Sequence, residues 1–378
     1  MGIIIGADVV PTLSNTDLFK NGDAVSLAGK ELCELLGQAD YVICNLEIPL
    51  SDQTSPIEKF GPNLIAPTSC INGIRALGIS LVTLANNHIF DHGEQGLTST
   101  IRELNKAGIA FTGAGNSLSE ANKPFYFSVQ DKCYGVYACA EHEFSIAGEN
   151  SPGANPFDVF ESPDHIASMK DRCDYVIVLY HGGKEHYRYP SPYLQKACRK
   201  MVEKGADLVI CQHSHCIGCE EKYRDGAIVY GQGNFIFSQN DNEFWNTGLL
   251  IEVSGNGRIN YIPVIRTTDG VRLADAKEKT KILDEFILRS KRITETGFVE
   301  NEYREYAKKS INGYIKYFSV FHNSLFFRGL NKLSHYLLEK QIVHRYLGKR
   351  QTGLINFIEC EAHRELFITG LKNSGGRR

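Results

Sequence analysis

The chain has 378 residues, a formal net charge of −3 and 42% hydrophobic residues. This length suits one large domain followed by a smaller one, with room for a sizeable core, and the ordinary composition excludes a mainly disordered protein. No stretch reaches the ~18 consecutive apolar residues that a membrane span needs. The start at Met1 runs into a strand-like segment without a basic leader, which argues against a signal peptide.

Up to about residue 265, short apolar runs alternate with helical periods that end at glycine, a pattern typical of βα units. The predicted strands are Ile3–Val10, Tyr41–Cys44, Ile79–Leu84, Ile109–Thr112, Asp174–Tyr180 and Asp207–Cys211. The predicted helices are Ser26–Leu36 with Ser26 as its cap and Gly37 just beyond, Glu94–Ala107 before Gly108, and Pro192–Lys204. Two hairpins are predicted, Pro124–Gln130 with Lys132–Cys139 and Thr247–Val253 with Arg258–Ile265. The pattern indicates an α/β protein with mixed sheets covered by helices.

The predicted secondary structure and the charge of the chain change after residue 268. Beyond Val271 no strand is predicted, and 21 Lys and Arg stand against 12 Asp and Glu. The predicted helices are Ala276–Lys291, Glu300–Phe318, Leu330–Tyr346 and Gly353–Ile368, and Asn373–Arg378 is expected to fray. We therefore predict two domains, residues 1–268 and a basic, aromatic-rich helical subdomain over residues 269–378. Its charge either attracts polyanions or an anionic membrane surface or only solvates exposed helices, and no motif indicates nucleic acid.

The cysteines bear on the compartment. There are 11 of them, an odd number, irregularly spaced and often inside apolar runs. We interpret them as buried, reduced thiols, which favours a reducing compartment. The expected location is cytoplasmic, or peripheral at the inner face of the membrane. A zinc knuckle at Cys216 and Cys219 is a weaker interpretation, because no second cysteine pair stands at a suitable spacing.

Polar side chains follow successive predicted strands at the point where each strand ends. They are Asp8; Asn45 and Glu47; Asn86, Asn87, His88 and Asp91; His181; and His213 with His215. Any one of them alone is more often a helix cap or a satisfied core residue. Loops at the carboxyl ends of strands line the ligand crevice of an α/β sheet, so their coincidence predicts one shared site.

The chemistry of this set indicates metal. Imidazole, carboxylate and amide oxygen together suit Zn, Mn or Fe. Six such groups exceed one tetrahedral site, and two ions ~3.5–4 Å apart would use them and activate a shared water. His88 is then placed to act as general acid or base, with Asp91 orienting its imidazole.

Several segments resemble the CapA family, the poly-gamma-glutamate and capsule synthesis proteins within the calcineurin-like metallophosphatases. They are Asn45-Leu46-Glu47, Ala85-Asn86-Asn87-His88 with Asp91 and Gly93, His181-Gly182-Gly183 with Glu185, His213-Ser214-His215, and Tyr230-Gly231-Gln232-Gly233-Asn234-Phe235. The order and spacing of the motifs hold from Ile3 to about Phe237. The resemblance implies a four-layer α/β/β/α sandwich with two central mixed sheets.

The resemblance also implies a role for each matching residue. The implied metal ligands are Asp8, Glu47 at the position of a bridging Asp, Asn87, His181, His213 and His215, with His88 as the acid histidine. The sequence departs from the pattern at Val10, where metallophosphatases usually place a histidine, and at Ser214, which replaces a proline. The departure at Val10 removes one ligand from the set.

The expected function is that of a metal-dependent hydrolase of capsule or exopolymer biosynthesis, with metal-activated water attacking a phosphoester or an amide-like bond. The alternative is a non-catalytic accessory subunit of a polymer synthesis complex. The expected partners are an anionic polymer or phosphoester substrate and components of a polymer synthase. The residues predicted to bind substrate are Asn45, Asn86, Glu185, Arg188 and Asn234.

Overall fold

A computed structural model describes residues 2–237, 242–317, 325–334, 336–347 and 351–374. The strands are β1 Ile3–Val10, β2 Tyr41–Leu46, β3 Leu81–Thr83, β4 Ala110–Thr112, β5 Ala114–Gly115, β6 Phe125–Val129, β7 Lys132–Ala140, β8 Gly153–Ala154, β9 Tyr175–His181, β10 Leu208–Gln212, β11 Glu220–Tyr223, β12 Gly226–Tyr230, β13 Asn234–Phe237, β14 Thr247–Val253, β15 Ile259–Arg266 and β16 Val271–Leu273. The helices are α1 Thr16–Asn21, α2 Ala24–Ala28, α3 Lys30–Gln38, α4 Ile71–Ala76, α5 Gly93–Ala107, α6 Leu118–Ala121, α7 Glu161–Lys170, α8 Pro192–Glu203, α9 Ala276–Arg292, α10 Phe298–Tyr317, α11 Leu325–Leu333, α12 Leu337–Leu347, α13 Gln351–Glu359 and α14 Glu361–Ser374. Two short 3-10 helices lie at Thr68–Cys70 and Glu243–Asn246.

The strands form two mixed sheets. The eight-stranded sheet has the order β16-β15-β14-β1-β2-β3-β4, with β13 paired to the far half of β1. Strands β1 to β4 run parallel, while β14 pairs antiparallel with β1. The six-stranded sheet has the order β11-β12-β10-β9-β7-β6, and its inner strands β12, β10, β9 and β7 are parallel. Both predicted hairpins are confirmed, as β6–β7 and β14–β15.

Alternation along the strands assigns their side chains to different layers. Ile3 and Ile5 of β1 belong to the same buried cluster as Ile177 of β9, so this cluster fills the space between the two sheets. Ile4 packs on the opposite face with the helices of the N-terminal half. Val178 packs with α7 and α8 on the outer face of the second sheet. The result is the predicted α/β/β/α sandwich, and this prediction is confirmed.

One helix prediction is wrong at its start. The segment predicted to run unbroken from Ser26 forms two helices, because Gly29 adopts a left-handed φ of 69° between α2 and α3. The cap is Asp23, whose carboxylate accepts the backbone N–H of Ser26 at 3.0 Å. Gly37 lies inside α3 and does not end it.

The prediction that no strand follows Val271 is also wrong. Strand β16 pairs antiparallel with β15 through a short turn, and its three residues are too few to give a periodic signal. The chain divides into two compact units, residues 1–300 and 301–378, so α9 belongs to the first unit.

The last predicted helices are each divided in two. The segment predicted as Leu330–Tyr346 is divided between α11 and α12, where Tyr336 has a left-handed φ of 64°. The segment predicted as Gly353–Ile368 is divided between α13 and α14. Phe318 and residues 375–378, the end of the tail that was expected to fray, lie outside the described residues.

The state of the cysteines and the hydropathy of the helices were both considered in the sequence. All 11 cysteines are free thiols, and eight of them are buried. Within the described ranges, no helix is long and apolar enough to cross a membrane.

Candidate metal centre

The two sheets present their strand ends at a common edge. Asp8 lies within β1, and Glu47 directly follows β2. From the second sheet, His181 is the last residue of β9 and His213 directly follows β10. Because β1 and β2 are parallel, as are β9 and β10, these strands end on the same side of their sheets. The strand-end pattern in the sequence therefore corresponds to a real convergence of side chains.

The imidazole of His181 lies at the centre of the cluster. Its Nε2 is 3.0 Å from Asn87 Oδ1, 3.1 Å from His213 Nδ1 and 3.3 Å from Glu47 Oε1. Ligand atoms ~2.0–2.1 Å from one tetrahedral ion are roughly 3.3 Å apart. The observed spacing therefore suits four donors to a single cation.

Asp8 and His215 form a second close pair beside Glu47. Asp8 Oδ2 is 3.6 Å from His215 Nδ1, and donor atoms of Glu47, His213 and His215 lie within 4.8 Å of one another. Among the described residues, Glu47, His213 and His215 form the one group of three His, Cys, Asp or Glu side chains spaced for a metal. Cys216 and Cys219 are buried but are not part of such a group.

Buried oxygen atoms without partners indicate that a cation fits here. Asp8 and Glu47 have no exposed surface. Asp8 Oδ2 and both carboxylate oxygens of Glu47 accept no hydrogen bond from the described residues. Buried carboxylate oxygens are costly unless they are hydrogen-bonded or coordinate a metal. The donor set, with its nitrogen and oxygen atoms, matches the chemistry of Zn, Mn or Fe.

The charges of the cluster are tightly linked. Burial and the nearby Glu47 carboxylate raise the pKa of Asp8. Burial also acts to raise the pKa of Glu47, but the nearby charge of His181 outweighs it and lowers that pKa. Burial alone would lower the pKa of His215, whereas the nearby carboxylates of Asp8 and Glu47 raise it to about 9. Burial and the charge of His181 hold the pKa of His213 well below its usual value. The raised pKa of His215 favours its charged form, which offsets the two carboxylates, and a bound cation would take over this task.

The backbone at the His-x-His segment is strained. His213 has a φ of 79° and His215 a φ of 51°. Left-handed conformations in residues other than glycine cost ~1–3 kcal/mol each and are retained where the surrounding structure fixes them. Here they turn both imidazoles toward the cluster, because His213 Nδ1 reaches His181 and His215 Nδ1 reaches Asp8.

The three predicted substrate-binding asparagines lie beneath the ligands. Asn45 Nδ2 donates to Asp8 Oδ1 at 2.8 Å, and Asn45 Oδ1 accepts from Asn86 Nδ2 at 3.0 Å. Asn86 Oδ1 accepts the backbone N–H of His88 at 3.1 Å. Both side chains are fully buried, and their hydrogen bonds hold Asp8 and the backbone of the His88 loop; their predicted role in substrate binding stays a prediction. Asn234 Oδ1 accepts from His215 Nδ1 at 2.8 Å and orients that imidazole.

His88 and Asp91 form a hydrogen-bonded pair at the rim. Asp91 Oδ2 lies 2.6 Å from His88 Nδ1, and the imidazole is 12% exposed. A third residue, Lys59, completes the group. Its ammonium is 2.5 Å from Asp91 Oδ1, and it also donates to the carbonyl of Asn87 at 3.3 Å. Lys59 was not predicted, since a lone lysine in an irregular loop gives no sequence signal.

Glu185 and Arg188 follow the loop after His181, and both are half-buried. Arg188 donates to the carbonyl of Ile217 at 2.9 Å and lies over the ring of Phe244 at 4.6 Å. It therefore lies outside the ligand cluster.

An aromatic layer covers His215 and was also not predicted. Trp245, the single tryptophan, has its ring 4.5 Å from the imidazole of His215. Its Nε1 donates to His186 Nε2 at 2.9 Å, and His186 stacks on Phe244 at 5.6 Å. The layer lies directly against His215, one of the candidate ligands.

The chain is similar to several bacterial proteins. It is 29% identical over 215 residues to the capsule biosynthesis protein CapA of Bacillus anthracis, covering 54% of this chain and 52% of that one. It is 28% identical over 257 residues to the PGA biosynthesis protein CapA of Bacillus subtilis strain 168, covering 65% and 67%. A Mycobacterium tuberculosis protein named a "probable polyglutamine synthesis accessory protein" is 29% identical over 179 residues, covering 44% and 47%. The chain thus spans about half of the Bacillus anthracis protein.

Solved structures resemble it more distantly. A phosphatase from Mycoplasma pneumoniae aligns with a TM-score of 0.44 at 16% identity, covering 74% of this chain and 96% of that one. The NAD nucleotidase of Haemophilus influenzae aligns with a TM-score of 0.39 at 12% identity, covering 75% and 55%. The family described as "Bacterial capsule synthesis protein PGA_cap" matches residues 8–239, which include all six candidate ligands. Since that match covers more than half of the chain, the protein belongs to the bacterial capsule synthesis family PGA_cap.

Proposed function

We propose that this chain is a metal-dependent hydrolase of capsule or exopolymer biosynthesis. The observation that carries the proposal is the pair of buried carboxylates, Asp8 and Glu47, which lie among three histidines and have three oxygens without a hydrogen-bond donor, namely Asp8 Oδ2 and both oxygens of Glu47. A purely structural role does not account for two buried carboxylates with three unpaired oxygens in one place.

The candidate ligands divide into two groups that share Glu47. Asn87, His181, His213 and Glu47 would hold one cation, and Asp8 and His215 would contribute to a second. A bound Zn, Mn or Fe would supply Lewis acidity and a nucleophilic water at neutral pH. The protein's own contribution is to fix the donors, because Asn45 and Asn234 hold Asp8 and His215 in place.

His88 is the proposed general acid or base. Because Asp91 accepts from its Nδ1, Nε2 is the ring nitrogen left to exchange a proton with the reacting group. Lys59 holds the opposite oxygen of Asp91 and so fixes the orientation of the pair. The proposed substrate is an anionic polymer or a phosphoester, in accord with the named capsule and PGA synthesis roles of the relatives.

Metal content and activity test the proposal together. The purified full chain is analysed for transition metals and then assayed with Zn, Mn or Fe on a phosphomonoester and on a gamma-glutamyl amide. We expect His88→Ala to retain metal and lose ~10²–10⁴-fold in rate, and His213→Ala to lose metal. His344→Ala, an exposed histidine in α12, is the matched control. A chain that binds none of these metals and hydrolyses neither substrate refutes the proposal.

An accessory role without catalysis is the second candidate. It is favoured by Val10, which is buried and stands where the resemblance implies a ligand histidine. The name of the Mycobacterium tuberculosis relative, an accessory protein, points the same way. Polymer production in cells that carry Asn87→Ala and His88→Ala distinguishes the two. Normal production supports the accessory role, and lost production with normal protein levels supports the hydrolase.

A further inference from the structure

A pocket of about 320 Å³ lies beside the aromatic layer, outside the metal centre. Two arginines, Arg188 and Arg289, form part of its wall, together with the acidic side chains Glu243 and Glu285. Its volume lies within the range of pockets that hold small molecules. None of the candidate metal ligands lines this pocket.

The two arginines are held side by side by the backbone. Arg188 donates to the carbonyl of Ile217 at 2.9 Å, and Arg289 Nε donates to the carbonyl of Gly218 at 2.7 Å. Because these carbonyls belong to consecutive residues, two like charges are fixed close together. Burial and the charge of Arg188 lower the pKa of Arg289, as expected for a guanidinium whose surroundings do not fully compensate it.

The protein's own carboxylates neutralise only part of the positive charge of Arg188 and Arg289. The nearest to Arg289 is Glu285, at 3.8 Å, and its side chain is 53% exposed. Glu278, which also lines the pocket, is engaged at 2.7 Å with Arg272. Within the part of the chain that the structure describes, no carboxylate lies in ion-pair contact with Arg188. A buried cation without a full partner is costly, and an incoming anion would remove that cost.

The orientation of the guanidinium groups favours a planar oxyanion. The Arg188 guanidinium lies over the ring of Phe244, which restricts its plane, and one nitrogen of each arginine is bound to a carbonyl. The remaining N–H groups match the two oxygens of a carboxylate. The acidic side chains of Glu243 and Glu285 would repel an anion with a net charge of −2, such as glutarate, but would attract an ammonium group. The wall therefore suits a ligand that carries both charges.

We propose that the Arg188–Arg289 pocket binds a carboxylate that stands beside a protonated amine, as in a free α-amino acid or the amino-terminal residue of a peptide. The carboxylate pairs with the two arginines, and the ammonium faces Glu243 and Glu285. Such a ligand is separated from His215 by the aromatic layer of Phe244, His186 and Trp245.

Calorimetric titration of the metal-stripped full chain tests this binding without any activity. The probes are L-glutamate, glutarate, which lacks the amine, and inorganic phosphate. We expect saturable binding of L-glutamate and at least tenfold weaker binding of the other two. Glutarate or phosphate binding as tightly as L-glutamate would overturn the assignment, and so would the absence of saturable L-glutamate binding.

Variants locate the site. Arg188→Gln and Arg289→Gln should each weaken L-glutamate binding at least tenfold, and Arg188→Lys should also weaken it because the planar fork is lost. Arg102→Gln, an arginine with a 56% exposed side chain on α5, is the matched control and should bind normally. Equal binding by the control and by Arg188→Gln, in proteins with unchanged circular dichroism, would refute the site. Since metal and turnover are absent, these results are independent of the proposed hydrolysis.

Discussion

Replacement of Lys59 by methionine should strongly destabilise the protein. Its side chain is only 2% exposed, and its partner Asp91 has no exposed surface. Removing one partner of a buried ion pair typically costs ~3–5 kcal/mol, since the other charge stays buried without it. Asp91 retains bonds from His88 and from the backbone of Leu64, which places the expected loss near ~3 kcal/mol.

A double-mutant cycle measured by urea unfolding isolates the pair. Lys59→Met with Asp91→Asn removes both charges and should cost less than the sum of the single changes by at least ~1 kcal/mol. Lys170→Met is the matched control. It removes a lysine that is 2.7 Å from Asp207, but this side chain is 41% exposed, and exposed pairs contribute only ~0–1 kcal/mol. A loss below ~1 kcal/mol for Lys59→Met, or equal losses at the two lysines, would refute the reasoning.

Three further predictions concern metal and pH. Metal uptake at pH 7 should release protons and tighten as pH rises, because His215 has a pKa of about 9 without metal and must be neutral to act as a ligand. Calorimetric titration in buffers of different ionisation enthalpy measures the number of protons released. Metal uptake without proton release would contradict the prediction. Metal binding should change the fluorescence of Trp245, the single tryptophan, which lies 4.5 Å from His215; the His215→Ala variant should show no such change. The hydrogen bonds from Arg272 lower the pKa of Glu278 to about 2 from 4.5, so the stability that Arg272 contributes should be constant above pH ~4.5 and vanish as pH falls toward 2. Urea unfolding of Arg272→Gln across this pH range checks the sign, and a difference that grows on acidification would contradict it.

The sandwich could be predicted because its signals are local. Buried parallel strands appear as short apolar runs, and the residue that follows each run marks the edge where ligands meet. The strand-end pattern predicts that Asp8, Glu47 and His181 lie together, and the structure brings them together. Their roles as ligands stay predictions until a metal is measured.

What could not be predicted depends on contacts between distant parts of the chain. Lys59 reaches Asp91 from an irregular loop, and Trp245 covers His215 from a short 3-10 helix. Neither residue belongs to a periodic pattern. The helix break at Gly29 was missed for a different reason, because its left-handed φ leaves the apolar spacing of leucines almost unchanged. Periodicity reports which face is buried and not where the backbone turns.

The central position of β1 has a consequence for biosynthesis. Strand β1 pairs with β14, and the side chain of Gln232 bonds to the carbonyl of Ile5 across 227 residues. The first strand leaves the ribosome early but finds its neighbours only when much of the chain has followed. Non-local pairing of this kind is slow and leaves apolar strands open to aggregation in the meantime. The candidate site, which combines Asp8 with His215, therefore cannot assemble before residue 215 has been synthesised, and any cation that it holds would bind late in synthesis or after it.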